Sequence, residues 1–424
     1  MNAHCVRPLI YIIFPLRVLT LRARTVDAKR RRKPVSHGGA PAYHDSEEIM
    51  IYLDNAATSA FKPKGVLDAL AYDLAHSANS GRSGHRYALD AAMKIEDCRH
   101  FLLSALGASD GGYGIALTKN CTEALNLGIF GFLRAGMRVV TTSYDHNSVL
   151  RPLFELEKRG KIELMVVEPD ENGFISAAHM DSAMQNADFC AVSAASNVTG
   201  ARIDTDALAA SAAKHGVITL VDGAQAVPLV RIDMRKTPFD MLALPGHKGL
   251  HGPQGTGCLI FRNDLMLQPL IMGGTGTASD STYQPTEPPE ALEAGTLFAG
   301  GIAALHEGAK WSFAERAKNA AVVKRLAGEL IEYLKGLNAE VYTKDPALGV
   351  VSFNLKDKDS SFVANALAER DFAVRGGLHC APLAHKALGT LSRGAVRASI
   401  GSDNTEKDIY LFVAALEKIN IMKR

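Results

Sequence analysis

Between residues 114 and 221 the chain alternates strand-type with helix-type segments, and few folds accommodate that pattern. Gly114–Leu117 is a short apolar run of strand type, and helical spacing follows from Thr122 to Leu133 through Ala124, Leu125, Gly128 and Phe132. Arg138–Thr142 is β-branched and reads as a strand, Val149–Lys158 as a helix, and Ile162–Val167 as a strand. Ala177–Gln185 reads as a helix, Phe189–Ser193 as a strand, Thr205–His215 as a helix and Val217–Val221 as a strand. Strands that alternate with helices need right-handed crossovers. They predict an α/β fold whose mostly parallel sheet is covered on both faces.

The pattern changes after Phe261. A loop-rich stretch with Gly273-Gly274 and Pro288-Pro289 leads into one long helical segment, about Gly301 to Leu337. Short strands at Val350–Leu355, Ala373–Arg375 and Val396–Ser399 then mix with helices at Ser361–Glu369 and Thr405–Lys418. This predicts a large domain over 50–300 and a smaller α+β domain over 301–424. A chain of 424 residues, 47% hydrophobic, is ample for two cores.

Residues 1–49 read differently. The apolar run Leu9–Phe14 is too short to span a bilayer, and the basic cluster Lys29–Lys33 follows it, the reverse of a secretory signal. Met50 directly precedes the first well-patterned segment, so a mis-assigned extension is the expectation, with an Arg-rich targeting peptide as the other reading. The 47 Lys and Arg nearly balance the 45 Asp and Glu, and a net charge of +2 gives no reason to expect a nucleic-acid or membrane partner. Six scattered cysteines with no CxxC pair spell out neither a disulfide framework nor a metal site, and a reducing, cytoplasmic location fits them best.

In a parallel sheet, ligands bind beyond the carboxyl ends of the strands. Val217–Val221 ends in Asp222-Gly223-Ala224-Gln225, and Met241–Leu244 leads into Pro245-Gly246-His247-Lys248-Gly249. A strand-end Asp usually caps a helix and a lysine among glycines is usually solvated. Together they suit a cofactor aldehyde: the lysine forms a Schiff base and the carboxylate keeps a pyridine nitrogen protonated, which makes the ring an electron sink. Asn120-Cys121-Thr122 lies where a helix begins. Thr122 reads as an N-cap, at a place whose free N–H groups also suit a phosphate. His146 and Asn197 follow later strands, with packing and turn chemistry as their plainer readings. Arg397 on a short strand is an ion-pair partner or a fork for a carboxylate. The loop Arg375-Gly376-Gly377-Leu378-His379-Cys380 places a thiol beside a histidine and an arginine, which would lower its pKa and make it a nucleophile.

Taken together, these segments resemble the class V aminotransferase superfamily, and within it the cysteine desulfurase and selenocysteine lyase branch. The resemblance rests on Tyr52–Thr58, Cys121–Asn126, Val221–Ala226, Gly246-His247-Lys248, Glu293–Thr296 and Arg375–Ala381, in that order. It implies a large-domain aminotransferase fold, a homodimer and pyridoxal 5'-phosphate as cofactor. Lys248 would hold the cofactor and move the substrate Cα proton. Asp222 would pair with the pyridine nitrogen, Gln225 with the ring hydroxyl, and His146 would stack on the ring. Cys121, Thr122 and His247 would be cofactor contacts, the last two at the phosphate, with Thr296 supplied by the partner subunit. Asn197 would touch cofactor and substrate, Arg397 and His85 the substrate, and Cys380 would accept sulfur. Two departures stand out: Pro245 where the branch often has Ser, and Leu378 where it often has a polar residue.

The implied reaction converts L-cysteine to L-alanine and leaves a persulfide on Cys380, from which a sulfur-acceptor protein could draw. Alternatives on the same scaffold are a selenocysteine lyase or a transaminase, lyase or epimerase of small amino acids. A plain nucleotide-binding protein would carry a GxGxxG or Walker signature after the first strand, and there is none.

Overall fold

The computed structural model describes residues 50–422, apart from 77, 81, 82 and 278. The expected extension, residues 1–49, lies outside the described residues. The chain enters through β1 (Ile51–Tyr52) and two outer helices, α1 (Lys64–His76) and α2 (Arg86–Ala105). The alternation follows as β2 (Tyr113–Thr118), α3 (Cys121–Phe132), β3 (Met137–Thr142), α4 (Asn147–Lys158), β4 (Ile162–Val167), α5 (Ala177–Met184), β5 (Phe189–Ser193), α6 (Thr205–His215) and β6 (Ile218–Asp222). Next come β7 (Met241–Pro245), β8 (Gly257–Arg262), α7 (Ala299–Ala314) and α8 (Arg316–Gly336). The chain closes with β9 (Glu340–Val341), β10 (Val350–Asn354), α9 (Ser360–Ala368), β11 (Phe372–Ala373), β12 (Arg375–Gly377), α10 (Pro382–Ala387), β13 (Ala395–Ser399) and α11 (Glu406–Ile421).

Seven strands form one sheet in the order β2-β8-β7-β6-β5-β3-β4. β8 runs antiparallel to β2 and β7, and the remaining pairs are parallel. Successive residues face opposite cores, as the period of a strand requires. Phe189 and Ala191 join one core, Cys190 and Val192 the other; along β7 Met241 and Ala243 alternate in the same way with Leu242 and Leu244. Burial on both faces is why these strands read as unbroken apolar runs.

A second sheet, β12-β13-β10-β9, is antiparallel and has its own core, built from Leu326, Leu330, Phe353, Phe412 and their neighbours. β1 pairs in parallel with β11, and Leu53 is buried in this second core. The single long helix expected over 301–337 is two helices, broken at Glu315. The break serves two cores: Ile302, Leu305 and Ala309 of α7 pack beneath the large sheet, whereas Leu326, Ala327 and Leu330 of α8 pack beneath the small one. The expected strand Ala373–Arg375 is likewise divided, its first half pairing with β1 and its second with β13. Among the described residues no helix is long and apolar enough to cross a membrane.

Candidate active site

Five loops leave the carboxyl ends of parallel strands and converge on one cavity of about 230 Å³. After β2 it is lined by Asn120, Cys121 and Thr122, after β3 by His146, and after β5 by Asn197. Asp222 and Gln225 follow β6, and His247 and Lys248 follow β7; Arg375, His379 and Arg397 close it from the small sheet. Residues spread over most of the chain thus meet where the fold places ligands.

The β2–α3 turn differs from expectation in one respect. Asn120, not Thr122, is the N-cap of α3: its side chain accepts from Glu123 N at 2.9 Å and its carbonyl from Ala124 N at 3.2 Å. Thr122 is already inside the helix, because Asn120 takes the extended conformation a cap needs. The first two N–H groups of α3 are thereby left for a ligand, at the positive end of the helix dipole. The turn lies close to the sheet because residue 257 is glycine; a Cβ there would sit 2.8 Å from the Asn120 carbonyl carbon. Thr122 Oγ1 meets Ser148 Oγ at 2.8 Å, and Ser148 Oγ meets His146 Nδ1 at 2.9 Å.

His146 is the N-cap of α4, its Nδ1 accepting from Ser148 N at 3.1 Å. Burial pushes its imidazole down to about 4, so the ring is neutral at pH 7 and carries its proton on Nε2. Asp145 anchors this corner. Its Oδ2 accepts from Thr141 Oγ1 (2.8 Å), Thr142 N (2.7 Å) and Thr142 Oγ1 (2.9 Å), and its Oδ1 accepts from Ser193 N.

Asp222 ends β6, in register with Ser193 and Ala243, and is 4% exposed. Its Oδ1 accepts from Ala224 N at 2.9 Å and from the Cys121 thiol at 3.4 Å. Burial, reinforced by the Asp222 charge, holds that thiol well above its ordinary value, so Cys121 is a neutral donor. Gln225 Nε2 donates to the Ala56 carbonyl at 3.0 Å. Burial lowers the Lys248 ammonium below the usual lysine value, with the Asp222 charge opposing, so more of its nitrogen is the free amine that can act as nucleophile or base. His247 is pushed down to about 4, again chiefly by burial.

Arg397 is 2% exposed on β13; its Nη2 donates to Asp54 Oδ1 at 2.8 Å and its Nη1 to the Asn197 carbonyl at 3.3 Å. The cysteine loop lies beside it. Cys380 is partly exposed, whereas Cys98, Cys121, Cys190 and Cys258 are buried. His379 (φ 50°) and Cys380 (φ 58°) are both left-handed, which costs on the order of 1 kcal/mol each for residues with a Cβ. His379 is 3% exposed and donates from Nε2 to the Ala395 carbonyl at 3.0 Å. The expectation that His379 lends positive charge to the thiol needs correcting: burial drives its pKa down to about 2, so it is neutral.

Three residues named from the resemblance do not line this cavity: Cys380 follows His379, which does line it, and two lie elsewhere. His85 is exposed and caps α2, its Nδ1 accepting from Ala88 N at 3.3 Å. Thr296 lines a separate cavity with Lys119, Glu123 and Phe298. Asp54, Asp145 and Ser148 were not anticipated as site residues, nor was the partnership of Arg99 with Glu293. Glu293 receives two bonds from that guanidinium, at 2.7 and 2.6 Å, and one from Leu117 N at 2.5 Å, which fixes the strand leading into α3.

The cavity wall is chemically unsatisfied as it stands. Asn197 Oδ1, His247 Nδ1, His379 Nδ1 and Arg397 Nε are all buried without a hydrogen-bond partner among the described residues. Burying such groups unpaired is unfavourable, and a polar ligand would satisfy them. An anion site at a helix start, a buried carboxylate and a buried amine fit a phosphorylated pyridine aldehyde.

The model of the family "Aminotransferase class-V" matches residues 51–412. The chain belongs to the class-V aminotransferase family. Among members with a stated activity, a "probable cysteine desulfurase" of Pyrococcus abyssi is 34% identical over 385 residues, spanning 87% of this chain and 94% of that protein. A cysteine desulfurase of Haloferax volcanii is 29% identical, spanning 92% of this chain and 96% of its own. The apo structure of a cysteine desulfurase from Thermococcus onnurineus superposes with a TM-score of 0.81 at 32% identity, covering 87% of this chain and 94% of that one. The family's enzymes depend on pyridoxal phosphate, and the cavity suits that group.

Proposed function

We propose that this enzyme is a pyridoxal-phosphate-dependent cysteine desulfurase, taking sulfur from L-cysteine onto Cys380 and releasing L-alanine. The observation that carries the reading is the place of Cys380. It is a partly exposed thiol in a strained loop, next in the chain to His379 of the cavity wall, and its carbonyl accepts from Asn147 N at 2.7 Å at the start of α4.

In this reading Lys248 Nζ would hold the cofactor aldehyde, Asp222 would keep the pyridine nitrogen protonated, and the start of α3 with His247 would hold the phosphate. Neutral His146 would be the partner of the ring. When bound, pyridoxal phosphate supplies the sink for the electron pair left at Cα. Arg397 binds the substrate carboxylate, oriented from behind by Asp54. Lys248 Nζ, as free amine, takes the Cα proton. Cys380 Sγ, as thiolate, attacks the substrate sulfur: an S–S bond forms, the substrate C–S bond breaks with its electron pair left on the carbon skeleton, and a persulfide stays on Cys380. The skeleton takes up a proton at Cβ, regains the Cα proton from Lys248 Nζ and leaves as alanine.

We further propose a homodimer acting in the cytoplasm and passing sulfur to an acceptor. Leu67, Tyr72 and Leu74 on α1, with Leu89 and Met93 on α2, are exposed apolar side chains that such a dimer would cover. Two lobes, 50–300 and 301–424, are part of this reading, although the packing of α7 favours a division nearer Glu315.

The test is alanine and sulfide release from L-cysteine by the loaded enzyme. Alanine formed in equal amount to sulfide, lost in C380A and in K248A, supports the desulfurase. A C380A variant that still turns over amino acids would instead point to a transaminase or epimerase.

A further inference from the structure

The cysteine loop does little to hold its own shape. Its two central residues are left-handed, and one hydrogen bond closes it internally, from Ala381 N to the Leu378 carbonyl at 2.9 Å. The rest of its support comes from outside. Asn147 N donates to the Cys380 carbonyl at 2.7 Å, and His379 Nε2 donates to the Ala395 carbonyl. The third support is a side chain from the opposite lobe: Asn197 Nδ2 donates to the His379 carbonyl at 2.7 Å. Asn197 is 5% exposed and follows β5, so it is set by the large sheet and not by the loop. Its own carbonyl is held by Arg397 Nη1, and its Oδ1 remains unpaired in the cavity wall.

A left-handed Cys380 directs its side chain differently from an ordinary extended or helical one. The peptide that precedes it, whose oxygen is the His379 carbonyl, sets that direction. We propose that Asn197 is the positioning residue for Cys380, holding the His379 carbonyl and with it the backbone that sets the direction of the thiol. The role rests on Cys380 being the sulfur acceptor, and it is distinct from any contact Asn197 makes with cofactor or substrate. Arg397 Nη1 reaches the backbone carbonyl of the same residue, which places the tether beside the group that binds the substrate carboxylate.

The test uses the full-length loaded enzyme with N197A and N197D. The aspartate keeps the shape of asparagine but removes the N–H. The first readout is the rate at which iodoacetamide alkylates Cys380 without substrate, followed by mass spectrometry of the peptide. The second is the ratio of sulfur transfer from L-cysteine to Cα-proton exchange of L-alanine in deuterated water, a reaction that needs Lys248 but not Cys380. The expected result is a change in alkylation rate of about fivefold in both variants, the factor a single hydrogen bond supports. The transfer-to-exchange ratio should fall by about tenfold, as misplacement of a reacting group produces. Unchanged alkylation, with transfer and exchange falling together, would overturn the proposal and leave Asn197 as a ligand contact only. Should N197A not fold, N197D alone decides, since a wild-type alkylation rate there is equally fatal. Failure of the desulfurase reading is visible separately, as sulfide release that survives C380A.

Discussion

Arg397 and Asp54 form an ion pair across almost the whole length of the chain, Nη2 to Oδ1 at 2.8 Å, with the arginine side chain 2% and the aspartate 22% exposed. The pair ties the last strand of the small sheet to the segment that follows β1. Asp54 also bridges to Ser399, and Asn55 N donates to the Ser399 carbonyl at 3.2 Å.

Removing Asp54 leaves a buried guanidinium without its counter-charge. D54A should lose roughly 3 kcal/mol of stability, the low end for breaking a buried pair because Asp54 is partly solvated. It should also raise the KM for L-cysteine, since Arg397 would no longer be oriented for the carboxylate. Urea unfolding and steady-state kinetics read the two effects. D54A with wild-type stability and KM would show that the pair orients nothing.

Acid should destabilise the fold through its neutral histidines. His146, His247 and His385 are held at about 4 and His379 at about 2, chiefly by burial. In the unfolded chain these groups titrate near 6.5. Above about pH 7 both states are neutral and stability is flat with respect to them. Below 6.5 the unfolded chain takes up protons that the fold refuses. Stability then falls by up to roughly 1.4 kcal/mol per pH unit for each group, until near pH 4 most of them titrate in the fold as well. Thermal melts from pH 8 to 4.5 should show a plateau and then a decline, shallower in H385Q. A flat profile would mean that these rings are protonated in the fold.

Much of the architecture was legible in the sequence because the inner strands of the large sheet are buried on both faces. Phe189–Ser193 reads as an apolar run between turns and forms a strand at those bounds, whereas Ile162–Val167, at the sheet's edge, is interrupted by Glu163 and exposes Met165. α1 and α2 gave no comparable signal. Both carry exposed leucines on the outer surface, Leu67 and Leu74 on one and Leu89 on the other, which blur the apolar stripe. The break at Glu315 was hidden for a different reason: both flanking segments are good helix formers, and only the existence of two cores separates them. At the site, Lys248 and Asp222 could be picked out because a lysine and a carboxylate at successive strand ends together suit one chemistry, and Cys380 because its loop sets a thiol beside a histidine and an arginine. Asp54, Asp145 and Ser148 could not, because each acts on another side chain brought near by the fold.

The Arg99–Glu293 pair is the most enclosed ion pair named here, with side chains 7% and 5% exposed. Glu293 also receives Leu117 N, so its carboxylate joins α2, the end of β2 and the loop before α7. E293Q keeps the shape but removes the charge, leaving Arg99 with only the more exposed Glu96 as counter-charge, 3.0 Å from its Nε. The expected loss is about 3–5 kcal/mol, measured by chemical denaturation. A conservative glutamine that unfolds at the wild-type midpoint would show that the pair adds no net stability.

Ser148 offers the cleanest probe of the cofactor pocket. Its hydroxyl lies between Thr122 Oγ1 and His146 Nδ1, while its backbone N–H also reaches His146 Nδ1. Because His146 is neutral and its Nδ1 accepts from that N–H, the ring keeps its orientation from the backbone alone when the hydroxyl is removed. Thr122 loses its partner, and the hydroxyl group that a phosphate would meet at the start of α3 becomes free to rotate. S148A should therefore fold normally and weaken pyridoxal phosphate binding by about 1 kcal/mol, close to the net worth of one hydrogen bond. Titration of the apoenzyme with the cofactor, followed by absorbance, measures the shift. The amine of Lys248 is untouched, so the loaded variant should turn over L-cysteine once the cofactor is saturating. Equal affinity in S148A and wild type would place the phosphate away from Thr122 and remove the start of α3 from the proposed cofactor site.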